Sequence, residues 1–159
     1  SGTQAFTDVV AAFGDDIVDA DGEVDRRSLG GKVFGNPEGL KKLTDIVWPA
    51  IMRMAEEEIA SAKAEDPNRV VVLEAAVLIE ADWLSLVDQV WVTVVEPSVA
   101  IERASARDGV DAAAVQARID AQLSNDARIA KAHQVIHNAG DQDHLIEQIR
   151  PLWAGISAA

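Results

Sequence analysis

The sequence predicts an α/β protein with a parallel sheet of about three strands flanked by helices, and two observations predict it. The runs Arg69-Val70-Val71-Val72-Leu73 and Val90-Trp91-Val92-Thr93-Val94-Val95 are β-branched and lack alternating polarity, as strands covered on both faces do. Helical patterns alternate with these runs and with a third, shorter one, Gln134-Val135-Ile136-His137, so the connections are right-handed crossovers and the strands run parallel.

Each element has its own signal. Phe6, Val9, Val10 and Phe13 recur at helical spacing, and Gly14 follows as a stop. Asp19-Ala20-Asp21-Gly22 has the look of a calcium loop, but aligning Gly22 with the loop glycine puts Ile17 at the first ligand position and Ser28 where a bidentate Glu is required. A solvated turn is the expectation there. Asp25 caps a helix through Phe34, and Asn36-Pro37 supplies the N-cap and first position of a long one. That helix carries Leu40, Leu43, Val47, Ile51 and Met54 on one face, with Pro49 expected to kink it beside Trp48 and Glu56, Glu57 and Glu58 on a solvated face. Glu96-Pro97-Ser98 opens a helix through Arg107, Asp111 caps another through Leu123, and Asp143 to Trp153 closes the chain helically. With no repeat, low-complexity block or linker, residues 1–159 are expected to form a single domain.

Among the 159 residues, 27 acidic side chains against 14 basic give a formal charge of −13, which argues against a nucleic-acid partner and an anionic membrane surface. Without cysteine there is no disulfide, thiolate metal site or cysteine nucleophile. No stretch approaches the ~20 apolar residues of a membrane span, and Ser1-Gly2-Thr3-Gln4 lacks signal-peptide character, so a cytoplasmic protein is expected. A start at Ser instead of Met points to a processed chain or a cut inside a longer gene.

Ligands of open α/β sheets bind beyond the carboxyl ends of the strands, and three clusters lie there. Glu74 follows the first run, leading to Glu80; it is either a metal-organising acid of phosphate transfer or a strand-end carboxylate satisfied by backbone amides. Arg103 and Arg107 lie one helical turn apart, and Arg118 with Gln122 repeats the spacing; planar guanidinium donors suit phosphate oxygens, while pairing with Glu102, Asp108 and Asp111 is the alternative. Asn138-Ala139-Gly140-Asp141 follows the third run, as a loop approaching a base or phosphate or as a plain turn. His133 and His137 have no third partner at metal spacing, no metal site is expected, and no Gly-x-Ser-x-Gly elbow exists.

Taken together, Phe13-Gly14 to Gly22, Arg26 to Leu29, Val33-Phe34, Pro49, Val72 to Glu80, Arg103-x-x-x-Arg107-Asp108-Gly109, Arg118-x-x-x-Gln122 and Ile136-x-Asn138-x-Gly140 resemble dephospho-CoA kinase in order and spacing over nearly the whole chain. Thr44-Asp45-Ile46-Val47-Trp48-Pro49 and Glu74 to Trp83 look most like the kinase domain of bifunctional CoA synthases. The resemblance implies a P-loop nucleotide-kinase-like fold and ATP-dependent phosphorylation of the dephospho-CoA ribose 3′-hydroxyl, in CoA synthesis, with magnesium on the phosphates. It implies a helical lid at about 97–131. Arg103 and Arg107, with Glu74, are then catalytic; Arg118, Asn138 and Gly140 hold the nucleotide, and Glu80 meets the substrate.

The family begins with a strand, a Gly-rich phosphate loop, a helix and a second strand, and no Gly-x-x-x-x-Gly-Lys-Ser/Thr occurs here; Gly31-Lys32 is followed by Val33. The chain therefore resembles a kinase lacking its first two strands, expected to be inactive alone. The phosphate-loop strand of such kinases lies between the first two strands of this chain. Its absence would be met by direct pairing of those two, by a homodimer, or by a missing N-terminal segment. A non-catalytic module that binds CoA, a nucleotide or a protein is the alternative function.

Overall fold

In the computed structural model, which describes residues 1–157, the span expected to be a single domain folds as two units, Ser1–Pro67 and Asn68–Ala159. The last two residues of that span lie outside the described residues.

In the first unit the Thr3 hydroxyl accepts from the Phe6 N–H at 3.1 Å and starts α1 (Gln4–Phe13). Gly14 ends it at φ +96°, where a Cβ would stand 2.9 Å from Asp16 Oδ1. After a short 3₁₀ turn at Asp15–Ile17, an antiparallel bridge between Val18 and Val24 closes the acidic loop. There Asp19 Oδ1 accepts from the Asp21 and Glu23 N–H groups at 3.0 and 2.9 Å, so this carboxylate holds a turn, as expected.

Asp25 caps α2 (Arg26–Val33) by accepting from the Ser28 hydroxyl at 2.6 Å and from the Arg27 and Ser28 N–H groups. The Ser28 side chain foremost, then the two amides, hold the Asp25 carboxyl below the usual carboxylate range. A carboxyl depressed on folding contributes stability that is present above its unfolded value and is lost as pH falls through its folded one. We therefore expect the N-terminal turn of α2 to fray only below the ordinary carboxylate range, followed in the Arg27 and Ser28 amide resonances during acid titration. Fraying at pH 5 to 6 would contradict this cap.

Asn36 caps α3 (Pro37–Glu65) through the Gly39 N–H at 3.1 Å, and the helix continues past Pro49 as one element. Val9, Ile17, Leu29 and Val33 form the buried cluster of this unit. The face that α3 lays on it is Leu43, Ile46 and Val47, while Leu40, Ile51 and Met54 are exposed. The sequence placed the buried stripe on a wider arc than α1 and α2 can cover.

The second unit holds β1 (Trp91–Val94) and β2 (Gln134–His137), paired in parallel with Trp91 opposite Gln134 and Val94 opposite His137. Three strands were expected, and the described sheet has two: Val70 to Leu73 pairs with nothing, and Val72 is 73% exposed. Its β-branched composition makes extended backbone favourable, but a strand also needs a partner for its N–H and C=O groups. Direct pairing of that run with β1, one of the three ways in which the gap could be met, does not occur, so among the described residues β1 has a strand along one edge only. Val92 and Val94 are buried while Thr93 is exposed, so the strand is covered on one face, where burial on both was expected.

Helices α4 (Pro97–Asp108), α5 (Ala112–Asp120) and α6 (Asn125–Ile129) connect the two strands, and α7 (Gln142–Ser157) follows β2. The helix expected to run through Leu123 stops at Asp120, because the Ser124 hydroxyl caps α6 through the Ala127 N–H at 3.2 Å. Val90, Val92 and Val94 form the buried cluster, with Leu78, Ile79, Leu84 and Val135 against it.

Candidate functional site

Of the candidate residues, Arg103, Asn138 and Gly140 come together past the carboxyl end of β2, the end that open α/β sheets use for ligands. Past β2, the Asn138 N–H donates to Val94 O at 2.8 Å, which carries the parallel pairing one step into the loop. Gln148, one helix later, donates to His137 O and accepts from the His137 N–H, both at 2.9 Å. Asp141 Oδ1 accepts from the His144 N–H at 2.9 Å, and a Cβ on Gly140 would stand 3.0 Å from the His144 ring. Strand end, loop and helix start are thus locked together, and a side chain at 140 would press on the His144 ring.

Arg103 reaches this loop from α4. One nitrogen, Nη1, donates to Asn138 O at 2.6 Å, while Nη2 donates to Ala139 O and Gly140 O at 3.2 Å each. Arg103, Asn138 and Gly140, which the sequence treated as two clusters, therefore meet. Arg107 lies one turn further along α4 and grips the neighbouring Asp108 bidentately, Nε to Oδ1 at 2.7 Å and Nη2 to Oδ2 at 2.9 Å. These bonds hold the Asp108 carboxyl below its ordinary range, with a weaker pull from Arg118, and raise the Arg107 guanidinium above its own. Arg107 and Arg118 thus share an electrostatic neighbourhood, while the Arg103 head group is spent on the loop. Arg107 and Arg118 are both exposed, and Arg107 is free to exchange Asp108 for another anion.

Glu80 is half-buried and engaged. Its Oε1 pairs with Arg128 Nη2 at 3.3 Å and accepts from the Leu123 N–H at 3.4 Å, while Gln122 Oε1 takes the same Arg128 nitrogen at 2.9 Å. Gln122 and Glu80 thus meet through Arg128, which the sequence reading passed over because Glu80 lies 48 residues away. Glu74 is exposed and has no hydrogen bond or ion pair among the described residues. His133 Nδ1 accepts from the Val90 N–H at 2.9 Å, which gives this histidine a strand-end role instead of a metal-ligating one. Among the described residues there is no group of three or more His, Asp or Glu that could by itself hold a metal ion. Nor is any described helix long and apolar enough to cross a membrane.

Comparison with known proteins agrees with this architecture. The sequence profile of the family described as "CoaE: Dephospho-CoA kinase" matches residues 1–144. The dephospho-CoA kinase of Geobacter sulfurreducens is 37% identical over 153 residues, covering 96% of this chain and 77% of that protein. The dephospho-CoA kinase of Leifsonia xyli is 33% identical over 155 residues, covering 98% and 78%. Among solved structures, TT1252 from Thermus thermophilus superposes with a TM-score of 0.72 at 27% identity, over 92% of this chain and 72% of that one. The dephospho-CoA kinase from Campylobacter jejuni has the same fold, with a TM-score of 0.65 at 23% identity over 94% and 74%. A parallel strand pair, a loop past its carboxyl end held by Arg103, and a family match running through both units lead to one conclusion: the chain belongs to the dephospho-CoA kinase family.

Proposed function

We propose that this chain carries the lid and substrate portions of a kinase that moves the γ-phosphoryl group of ATP to the ribose 3′-hydroxyl of dephospho-CoA. The observation that supports the reading is on α4, where Arg107 grips the Asp108 carboxylate bidentately, a place that a phosphate could take, one turn from the Arg103 that holds the loop past β2. Phosphoryl transfer needs little covalent chemistry from the protein; fixed donors that neutralise the equatorial oxygens supply most of the effect. In this reading α4 to α6 are the lid, at about 97–131, and the loop at Asn138 and Gly140 receives the adenine. Glu80 faces the substrate side while tied to Arg128, and Glu74 is the free carboxylate after the first run. The balance is simple: the 3′-oxygen gains the phosphoryl group, ADP leaves, and the hydroxyl proton goes to a base in the segment this chain lacks.

That segment is the second part of the proposal. The phosphate cradle of the family would come from a strand, loop and helix beyond these residues, and β1 has an edge without a strand on which such a strand could add. A homodimer exchanging strands at the same edge is the competing occupant. The resemblance to the kinase domain of bifunctional CoA synthases belongs to this reading as well.

Calorimetric titration tests the site. ATP should bind weakly and more weakly in salt, and Arg107→Ala should reduce the affinity at least about tenfold, while Arg53→Ala on α3 changes it little. Equal behaviour of the two variants would make Arg107 a surface arginine and end the proposal.

A further inference from the structure

The contact that stands apart from the family-level reading is the one Arg103 makes. Its planar head group meets three consecutive carbonyl oxygens, those of Asn138, Ala139 and Gly140, from a helix 35 or more residues earlier in the chain. A carbonyl array of this kind calls for a donor that is planar, cationic and multiply armed, and among side chains only arginine offers several N–H groups in a fixed fork. Those N–H groups are committed to the loop carbonyls. The other anchors of the loop come from β1 and α7, through Val94 O, Gln148 and Asp141. Among the described residues, Arg103 makes the hydrogen bonds between this loop and α4, the helix that also bears Arg107 and packs along α5 with its Arg118.

We propose that Arg103 is a positioning residue: it straps the loop at 138–140 to the α4–α5 hairpin, so that the loop meets a purine base in a shape set by the same hairpin whose Arg107 and Arg118 meet the phosphates. This rests on the nucleotide-binding reading above and changes one of its assignments, since Arg103 then acts on the ligand through the loop and not as a phosphate donor. The consequence is specific. Losing the strap removes the part of the affinity contributed by the base and leaves the part contributed by the phosphates.

Two probes separate those parts, ATP and inorganic tripolyphosphate, each titrated calorimetrically into the chain and into Arg103→Gln and Arg103→Lys. The expected result is an affinity for ATP reduced about tenfold in both variants, with that for tripolyphosphate within about twofold of the parent. Lysine should not rescue, because a single ammonium group cannot span three carbonyls. In the ligand-free protein, amide order parameters at Ala139 and Gly140 should fall from about 0.85 toward 0.6 in Arg103→Gln, with those of β1 unchanged. Equal weakening of ATP and tripolyphosphate would overturn the proposal, because Arg103 would then be a phosphate ligand. Unchanged order in the loop would overturn it too. If the parent binds neither probe while the loop still loosens in Arg103→Gln, the strap is supported and the nucleotide reading is the part that fails.

Discussion

Mixed with ATP and dephospho-CoA, the isolated chain should release no ADP above background, whereas kinases of this kind typically turn over at about 1–100 s⁻¹. The expectation rests on the sequence: no Gly-x-x-x-x-Gly-Lys-Ser/Thr occurs in these 159 residues, and that motif is how P-loop kinases cradle the β- and γ-phosphates with backbone N–H groups and a lysine. The arginines of the lid can attract a triphosphate, but attraction without fixed geometry lowers ground state and transition state together and gives no rate. Joining the strand-loop-helix segment of a relative to this chain should restore measurable turnover, and Arg107→Ala in that fusion should lower it again. A coupled ADP-release assay decides the matter. Turnover in the kinase range by the isolated chain would show that another group supplies the cradle.

Replacing Ile17 with alanine should cost about 2–5 kcal/mol, the range for truncating a buried aliphatic side chain where the surroundings cannot close the hole. Ile17 is the one fully buried large side chain among the described residues, at 0% exposure, and it lies between Val9 of α1 and Leu29 and Val33 of α2. The first unit ends at Pro67, and a core this small has little stability in reserve. The Ile17→Ala protein should therefore lose the dispersed amide resonances of α1 and α2 near room temperature. Ile17→Val, which removes one methylene, should keep them at a cost of about 0.5–1.5 kcal/mol. A loss below about 1 kcal/mol for the alanine variant would mean that neighbouring side chains refill the space.

Capping chemistry made much of this fold readable in advance. Asp25, Asn36 and Asp111 each sit one residue before a helix and accept from its free N–H groups, because a short polar side chain there satisfies donors that have no other partner. Thr3 and Ser124 do the same work and were missed: the apolar repeat behind Thr3 marked the helix but not its cap, and the short α6 behind Ser124 has no such repeat. The run at Val70 to Leu73 misled for the opposite reason: composition reports what a backbone prefers, while pairing depends on a neighbour that no single run encodes. At the site, the residue types were legible and their company was not. That Arg103 faces carbonyl oxygens and Arg107 a carboxylate follows from the rotation of α4 over the strand ends, which spacing along the chain leaves undetermined. The pairing of Glu80 with Arg128 spans 48 residues and had no local trace.

The open edge of β1 also bears on how copies of this protein behave in concentrated solution. An edge strand offers unpaired N–H and C=O groups to any other extended segment, and the exposed valines at 70, 71 and 72 are such a segment. At neutral pH each copy carries a formal charge of −13, and mutual repulsion keeps those surfaces apart. The calculated isoelectric point is near 4.5, so mild acid removes the repulsion well before it dismantles the backbone pairing of the sheet. Colloidal behaviour is then governed by the same strand edge that the fold leaves without a partner, and acidity and salt become the variables that decide whether molecules stay dispersed or pair edge to edge.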